Sequence, residues 1–459
     1  MRSRNYGSLL RLRLRALRDR SRESLFVLPA SIVVVGIVLA ETAGYVDRHI
    51  GNEHVPALLR MSRDAAITLL GTVAGATITT SGVVFSIMVV SVQLASGQFS
   101  PRVVRSFFRD RLAQTVIGLL VAAFAFSVIT LQEMREDSPK PSGDVPIVSL
   151  NLTVLLALVA VFAIVAFLDR SARGLYVGNI AVRVAKEAVR TIDGLRDPAL
   201  QPAAQAVGDE DLAARGEPLV VRAPSDGWVQ QIDARAVLQA VAPGSVVRIE
   251  TRAGAFLTYG QTLARVWPPP DAATDATDAT DATDSTDSTD SVRQRVRDAF
   301  VIGPHRTMQQ DVDFGLRQLN DIALRALSPA VNDPTTAIEA VLRVGSVLRR
   351  VLLTELPAQV REDARGSVLL TPWELDHAEY VAHAYGQVRL VAAPHPAVAM
   401  AMLRSMRMLL AAVEEAGRPE PVAALRREMR LLLEGVDRAG LLPEDVAAVR
   451  AAAAPGRPG

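Results

Sequence analysis

Four long apolar runs dominate the first 170 residues of the chain. They cover about residues 25–46, 65–99, 113–131 and 147–168. Each is long enough to cross the ~30 Å hydrocarbon layer of a membrane as an α-helix. This pattern predicts a four-helix transmembrane domain over residues 25–170, preceded by a basic N-terminus over residues 1–24.

A cleaved signal peptide is the competing interpretation of the first run. The run is longer than the apolar core of such a peptide. It also carries Glu41, Thr42 and Tyr45 where a cleavage site needs small residues. We therefore expect the first run to remain in the protein as a membrane span.

The second run differs from the others because small and polar residues recur along it at helical spacing. They step by three or four positions and so share one face of a helix. The face consists of Thr68, Thr72, Gly75, Thr79, Gly82, Ser86 and Gln93. An unpaired polar group is costly in hydrocarbon, so this face must meet another helix, water or a ligand. Three interpretations stay open: tight helix packing, a hydrated permeation path, and a pocket for a ligand or lipid.

Charges between the runs predict the orientation. Basic residues follow the second and fourth runs, whereas the connection between the third and fourth runs is mainly acidic. By the positive-inside rule both termini are cytoplasmic, as four spans require. Arg102, Arg105 and Arg109 in the second connection have two interpretations. They are a topological anchor, or an interfacial turn that binds anionic lipid headgroups or lines an anion path.

The pattern changes three times after the fourth run. Residues 171–216 begin with an amphipathic helix, which predicts a stalk or a helix on the membrane surface, and end in a loop. Residues 217–268 alternate short β-rich runs with Gly and Pro turns and predict a small β module. The module is similar in pattern to lipoyl and biotinyl carriers but contains no lysine to carry a prosthetic group. We expect it to serve packing or ligand sensing.

Residues 269–292 repeat aspartate among Ala, Thr and Ser, and this composition predicts a disordered linker. A calcium-binding repeat is the alternative, but the Gly turns that fold such repeats are missing. Residues 293–455 then predict an α-helical bundle. Its start signals are capping boxes at 307–310 and 371–374, and Asp333 followed by Pro334. The fold class is thus a membrane α-helical protein with a cytoplasmic small β module and helical bundle.

Polar residues concentrate at the first turn of this bundle. They are Asp313, Arg317, Asp321, Asn332 and Asp333. One interpretation is an ion-pair ladder on a solvated helix face followed by a well-capped turn. The other is a cytoplasmic polar pocket or subunit interface.

Composition and motifs exclude several classes of protein. The chain has no Cys, which excludes disulfides, thiolate metal sites and Cys nucleophiles. Charges balance at 50 Lys+Arg against 49 Asp+Glu, so the total gives no argument for nucleic acid. His377 and His383 are six apart on one predicted helix, which disfavours joint metal ligation. The sequence has no nucleotide-binding or hydrolase motif. We expect no enzyme, no metal, no cofactor and no nucleic-acid partner.

Two segments resemble a known family. They are GTVAGATITTSGVVFSIMVVSVQLASGQFSPRVVRSFFRDR at 71–111 and RTMQQDVDFGLRQLNDIALRALSPAVNDPTTA at 306–337. Together they are similar to a bacterial family of predicted membrane proteins, domain of unknown function 2254. The resemblance implies a multi-span inner-membrane protein with a cytoplasmic C-terminal region and no established activity. Family members often carry paired His after the fourth span, where this chain has Asp169 and Arg170.

The leading functional prediction is an oligomeric channel- or transporter-like protein with a cytoplasmic assembly or gating region. It follows from the polar face, the arginines beside it and the absence of catalytic motifs. Its expected partners are membrane lipids and further copies of the chain. The alternative is a membrane-anchored sensor or scaffold that binds a ligand or partner through its cytoplasmic domains.

Overall fold

The computed structural model describes residues 26–49, 62–98, 111–135, 145–174, 177–203, 207–270 and 282–454. Two compact units divide between Tyr176 and Val177. We call the described residues up to 174 the span unit and those from 177 onward the α/β unit.

The span unit consists of four helices that coincide with the four predicted apolar runs. They are α1 (Val27–His49), α2 (Arg63–Gln98), α3 (Arg111–Arg135) and α4 (Ile147–Gly174). The third helix packs against each of the other three. Its residues Val116, Leu120 and Phe126 are at most 1% exposed. Helix α3 is therefore the centre of the bundle, and the other three helices surround it.

Glycine allows α1 and α3 to approach closely. A Cβ placed on Gly36 would lie 2.8 Å from the Cβ of Ala122, and one on Gly118 would lie 2.9 Å from the Cα of Pro29. Contact between small residues is a common way for helices to associate in membranes, where packing replaces the hydrophobic effect. These two glycines fix the separation of α1 and α3.

A carboxylate joins α1 to the start of α4. Asp47 accepts hydrogen bonds from the backbone N–H of Val148 at 2.8 Å and of Ser149 at 2.9 Å. The Ser149 hydroxyl donates to the same carboxylate at 2.6 Å. First-turn N–H groups have no partner within their own helix, so Asp47 supplies the acceptor that α4 lacks.

The α/β unit contains ten helices and nine strands among the described residues. In chain order they are α5 (Val177–Asp193), β1 (Gln201–Pro202), α6 (Asp209–Ala214), β2 (Leu219–Arg222), β3 (Gly227–Ile232), α7 (Ala234–Gln239), β4 (Val246–Ile249), β5 (Phe256–Leu257), β6 (Thr262–Trp267), α8 (Ala282–Asp298), β7 (Phe300–Gly303), α9 (Val312–Ala326), α10 (Pro334–Leu353), β8 (Val360–Glu362), β9 (Val368–Leu370), α11 (His377–Ala392), α12 (Pro396–Glu415), α13 (Glu420–Asp437) and α14 (Pro443–Ala453).

Two sheets form from strands that are distant in sequence. One has the order β1-β8-β9-β4-β6-β2 and the other the order β5-β3-β7. Strands β7, β8 and β9 come from outside residues 217–268, so the predicted boundary after the β module passes through a single structural unit. Helix α8 packs back on β2, and its Val296 is fully buried with the sheet residues Val221 and Leu263.

The predicted linker over residues 269–292 differs from the structure at its C-terminal end. Residues 282–292 belong to α8. Residues 271–281 lie outside the described part of the chain. Val292 packs against the same core as the sheets, which gives this part of the sequence a reason to be helical.

Two helix starts were predicted too early. Helix α9 begins at Val312 with Asp311 as its N-cap, because the Gln310 side chain pairs instead with both backbone groups of Ile232 in β3. Helix α11 begins at His377 with a capping box between Asp376 and Glu379. The predicted start of α10, with Asp333 as N-cap and Pro334 at the first position, is confirmed.

Helix α5 packs inside the α/β unit. Its residues Ile180, Val184 and Ala188 are buried, and it packs on α9 and α10. A Cβ on Gly315 of α9 would lie 2.7 Å from the Cβ of Ala188. The apolar face of α5 therefore meets protein, and the predicted stalk or surface helix stays a prediction for the helix as a whole.

Among the residues that the structure describes, five helices are long and apolar enough to cross a membrane. Four are α1 to α4, and the fifth is α12. Helix α12 contributes fully buried residues to the interior of the α/β unit, such as Met402, Leu403 and Met406. The count of four spans stays a prediction.

Candidate functional site

The polar face of α2 points away from the core of its own bundle. All seven of its predicted residues are exposed: Thr68, Thr72, Gly75, Thr79, Gly82, Ser86 and Gln93. The opposite side of α2 is buried, with Ala66 and Leu70 at 0% and Val84 at 1% exposure. The helix therefore packs on α3 by one side and presents the polar face outward.

The hydroxyl groups of this face donate to their own helix. Thr72 Oγ1 donates to the carbonyl of Thr68 at 2.7 Å, and Thr79 Oγ1 donates to Gly75 at 2.7 Å. Thr68 and Ser86 bond their own helix in the same way, at 2.8 and 2.9 Å. This back-bonding satisfies the hydroxyl hydrogens and leaves the hydroxyl oxygens free to accept. The outer side of α2 thus carries a row of acceptor oxygens separated by glycine, with the exposed apolar residues Ile78, Val83 and Phe85 beside it.

The glycines of α2 have space around them, unlike those of α1 and α3. A Cβ on Gly71, Gly75 or Gly82 would meet no other described atom within 4 Å, the adjoining backbone of α2 itself aside. Tight packing within one copy of the chain therefore does not account for these positions in the described residues. A second copy, water, lipid or a ligand can occupy this space.

Helix α4 provides the contrast, because its outward side is bulky and apolar. Leu155, Leu158 and Phe162 are 55%, 54% and 74% exposed. Such a surface suits lipid chains. The two helices thus present chemically different surfaces, bulky and apolar on α4 and small and polar along the face of α2.

Helix α2 begins with a basic and an acidic residue, Arg63 and Asp64, whose side chains have different surroundings. Arg63 donates from its guanidinium to the carbonyl of Met134 in α3. Asp64 is exposed and lies one turn before Thr68, on the line of the polar face. At the other end, the predicted Arg102, Arg105 and Arg109 lie outside the described residues.

The α/β unit contains a second polar site, built around Asp313. Its carboxylate pairs with Arg306 at 2.8 Å and with Nδ1 of His383 at 2.9 Å. Arg306 also binds both carboxylate oxygens of Asp311, at 2.5 and 3.0 Å. We call these four residues the Arg306 network. It joins the loop before α9 to α11.

Charge pairing sets the electrostatics of the network. Burial opposes ionisation of Asp313, but hydrogen bonds from His383 and Arg306 outweigh it and hold the pKa of the carboxyl well below its ordinary value. Burial also opposes the charge of Arg306, and the two aspartates outweigh it and raise its pKa. The guanidinium lies over the rings of Trp228 and Phe314, with centroids at 5.7 and 5.4 Å.

The structure separates the other residues of the predicted polar pocket. Arg317 reaches Gln387 at 3.5 Å. Asp333 caps α10 by accepting from Thr336 N at 3.1 Å, and Asn332 is exposed at φ 45° in the turn before it. Asp321 is partly exposed on α9. Sequence reasoning missed Arg306 as the shared partner of Asp313 and Asp311. No local spacing indicates His383, which is 70 positions from Asp313.

The described residues offer little else for a ligand. A surface cavity of about 320 Å³ lies between the ends of α5 and α10. Its charged residues already pair with each other, Arg350 with Asp193 and Arg196 with Glu355. No group of three His, Asp or Glu in the described residues is placed to hold a metal ion.

Most of the chain matches one family of proteins. Residues 22–408 match the model of a family described as predicted membrane protein, DUF2254. The chain belongs to this family. The match begins before α1 and ends within α12, so DUF2254 includes both the polar face and the Arg306 network. It confirms the resemblance drawn from residues 71–111 and 306–337.

Similar proteins occur in mycobacteria. An uncharacterised protein of Mycobacterium tuberculosis H37Rv is 30% identical over 404 residues, which cover 88% of this chain and 74% of the relative. Proteins of Mycobacterium tuberculosis CDC 1551 and Mycobacterium bovis, also described as uncharacterised, give the same values. No solved structure matches the chain.

Proposed function

We propose that the chain is an oligomeric channel- or transporter-like protein of the bacterial inner membrane, in which the polar face of α2 borders the path. The observation that carries the proposal is the exposure of all seven residues of that face in the single chain. Polar groups facing lipid are unfavourable, and assembly around an axis removes them from it.

The acceptor oxygens of α2 support the proposal that water contacts its polar face. A hydroxyl that has donated to its own helix accepts a hydrogen bond from water without breaking an existing bond. The glycines between them leave room for solvent, because nothing in the described chain lies within 4 Å of a Cβ at Gly75 or Gly82. Bulky apolar residues on α4 face lipid in this arrangement.

The proposal includes an orientation. Four spans put both termini on one side of the membrane, and by the positive-inside rule that side is the cytoplasm, with the α/β unit there as an assembly or gating region. Helix α12 is not counted as a span because its apolar residues are buried among α10, α13 and α14. The proposal assigns the chain no enzymatic activity and no nucleic-acid partner.

Reconstitution tests the proposal directly. The full chain in liposomes is expected to show ion or solute flux under a gradient, and an oligomeric mass in detergent. Leucine at both Thr79 and Ser86 should abolish flux by filling the path with apolar bulk. Val161→Leu on α4 is the matched control, since Val161 is 55% exposed on the lipid-facing side, and it should leave flux unchanged.

The outcomes separate the two candidate functions. A monomeric mass without flux would sink the proposal. An oligomer without flux, whose assembly is lost in the double leucine variant, would instead favour the scaffold. Unaltered flux in the double variant would place the path elsewhere.

A further inference from the structure

Two exposed aromatic residues lie three positions apart in the sequence of the α/β unit. Phe256 is 50% and Tyr259 is 77% exposed. Phe256 belongs to β5, and Tyr259 lies in the turn between β5 and β6. We call the turn at 258–261, with Phe256 and the facing loop at 223–226, the aromatic tip.

The backbone of the aromatic tip is held by hydrogen bonds between its two loops. Ala223 N donates to the carbonyl of Gln261 at 2.8 Å, and Gly260 N donates to Ala223 at 3.0 Å. Tyr259 N donates to the carboxylate of Asp226 at 2.6 Å. Gly260 makes the turn possible with φ +80°. Because these backbone groups already have partners, the tip can enter an apolar environment without leaving them unpaired.

Two arginines lie beside the turn of the tip. Arg222 is exposed and donates from NH1 to the carbonyl of Gly260 at 3.0 Å. Arg297 of α8 donates to the carbonyl of Arg222 at 3.3 Å. The one acidic group in the two loops, Asp226, already accepts from Tyr259. The tip therefore combines exposed aromatic rings with positive charge.

This combination fits the surface of a bilayer that contains anionic lipid. Aromatic rings are favoured at the boundary between headgroups and acyl chains, and arginines are attracted to anionic headgroups. The chain itself belongs to a membrane family, and α5 follows the apolar helix α4 after two residues. The bilayer is therefore always at high local concentration around the α/β unit.

We propose that the aromatic tip is a membrane anchor, with Phe256 and Tyr259 inserted among headgroups of anionic lipid and Arg222 and Arg297 at their phosphates. The anchor is independent of the proposed permeation path, because it involves neither α2 nor assembly.

Depth-dependent quenching tests the anchor in the full chain. Tyr259→Trp places an indole at the tip, and Leu442→Trp places one at an apolar site of similar exposure, 69%, before α14. Both variants are reconstituted in vesicles of phosphatidylcholine and phosphatidylglycerol, with and without bromine on the acyl chains. Emission is compared with that of the wild type, which has three tryptophans of its own.

The anchor predicts that the emission added at position 259 is blue-shifted and loses on the order of half its intensity to brominated lipid, given the shallow depth of interfacial insertion. The emission added at position 442 should not be quenched. Equal quenching at the two sites would overturn the anchor. Blue-shifted emission that bromine does not quench would also overturn it, because a protein surface such as a second copy then covers the tip.

Lipid charge tests the arginines separately. Omitting phosphatidylglycerol should weaken the contact about five-fold for each arginine at the surface, and quenching should fall accordingly. Unchanged quenching in phosphatidylcholine alone would overturn the role of Arg222 and Arg297. These measurements do not depend on flux, so the anchor and the permeation path succeed or fail independently.

Discussion

Asp47 of α1 accepts two hydrogen bonds from Ser149 of α4, although the two residues are 102 positions apart. The carboxylate accepts from both the backbone N–H and the hydroxyl of Ser149, and also from Val148 N. An acidic group at a helix N-terminus also interacts favourably with the helix dipole. This arrangement makes the start of α4 depend on the end of α1.

Removing the cap should destabilise the span unit. Asp47→Ala leaves the first-turn N–H groups of α4 without their acceptor, and we expect a loss of about 1–2 kcal/mol, as for other helix caps. Thermal unfolding in detergent measures the change. Thr42→Ala on the same helix is the control, because that side chain bonds its own helix at Leu39. Equal effects of the two substitutions would contradict the capping role.

Glycine substitutions should separate close packing from open space. Gly36→Ala brings a methyl group to 2.8 Å from Ala122, and we expect about 1–3 kcal/mol of destabilisation from overpacking. Gly71→Ala in α2 meets no described neighbour and should leave the monomer as stable or more stable, since Ala favours a helix over Gly by about 1 kcal/mol. Unfolding in detergent that ranks the two variants the other way would show that the α1–α3 contact is looser than described.

Breaking the Arg306 network should lower the free energy of unfolding more than breaking an ion pair on the surface does. Asp313→Asn removes the charge that Arg306 and His383 share inside the protein, and loss of one partner of a buried pair typically costs ~3–5 kcal/mol. Arg343→Gln, which affects an exposed pair with Glu339 at 3.4 Å, should cost ~1 kcal/mol or less. Chemical unfolding of the full chain in detergent measures both.

The lowered pKa of Asp313 predicts that the protein loses stability in acid. Because the pKa of Asp313 is lower in the folded protein than its ordinary value of 3.8, its contribution is present above that value and is lost as the pH falls below it. Wild type should therefore lose more stability than Asp313→Asn on acidification below about pH 4. Parallel pH profiles for the two proteins would contradict this.

Glu374 should make the pH dependence of stability run in the opposite direction, with a loss as the pH rises. Burial raises the pKa of this carboxyl, while Arg361 and Arg252 oppose the shift. Because the pKa is raised, the contribution of the protonated Glu374 carboxyl to the free energy of unfolding is fully present below the ordinary value of 4.5. It is lost as the pH rises through the pKa of the folded protein. Glu374→Gln should thus raise the melting temperature at pH 8 more than at pH 4. Glu415→Gln on an exposed site is the control.

Topology can be mapped without background because the chain has no Cys. Ser62→Cys, just before α2, should react with an impermeant thiol reagent added outside intact cells. Ser328→Cys, in the turn after α9, should react only after permeabilisation. The reverse pattern would invert the proposed orientation, and outside labelling of both would exclude a cytoplasmic α/β unit.

Local sequence signals predicted the four long apolar helices α1 to α4 and the start of α10, because apolar length and capping are properties of neighbouring residues. They predicted which residues of α2 share a face but not the direction of that face, which depends on how α2 packs on α3. The Arg306 network and the pairing of β3 with β7 join residues some 70 positions apart. Such pairings leave no local periodicity, and Gln310 shows how a distant strand can override a capping box.

The return of α8 to the sheet has a consequence for the length of the aspartate-rich stretch. Val266 in β6 and Val296 in α8 are buried in the same core, so both ends of the intervening stretch are fixed. Doubling a flexible connection between fixed ends costs only about 0.6 kcal/mol in closure entropy. A reporter domain inserted near residue 276 is therefore expected to leave both sheets intact.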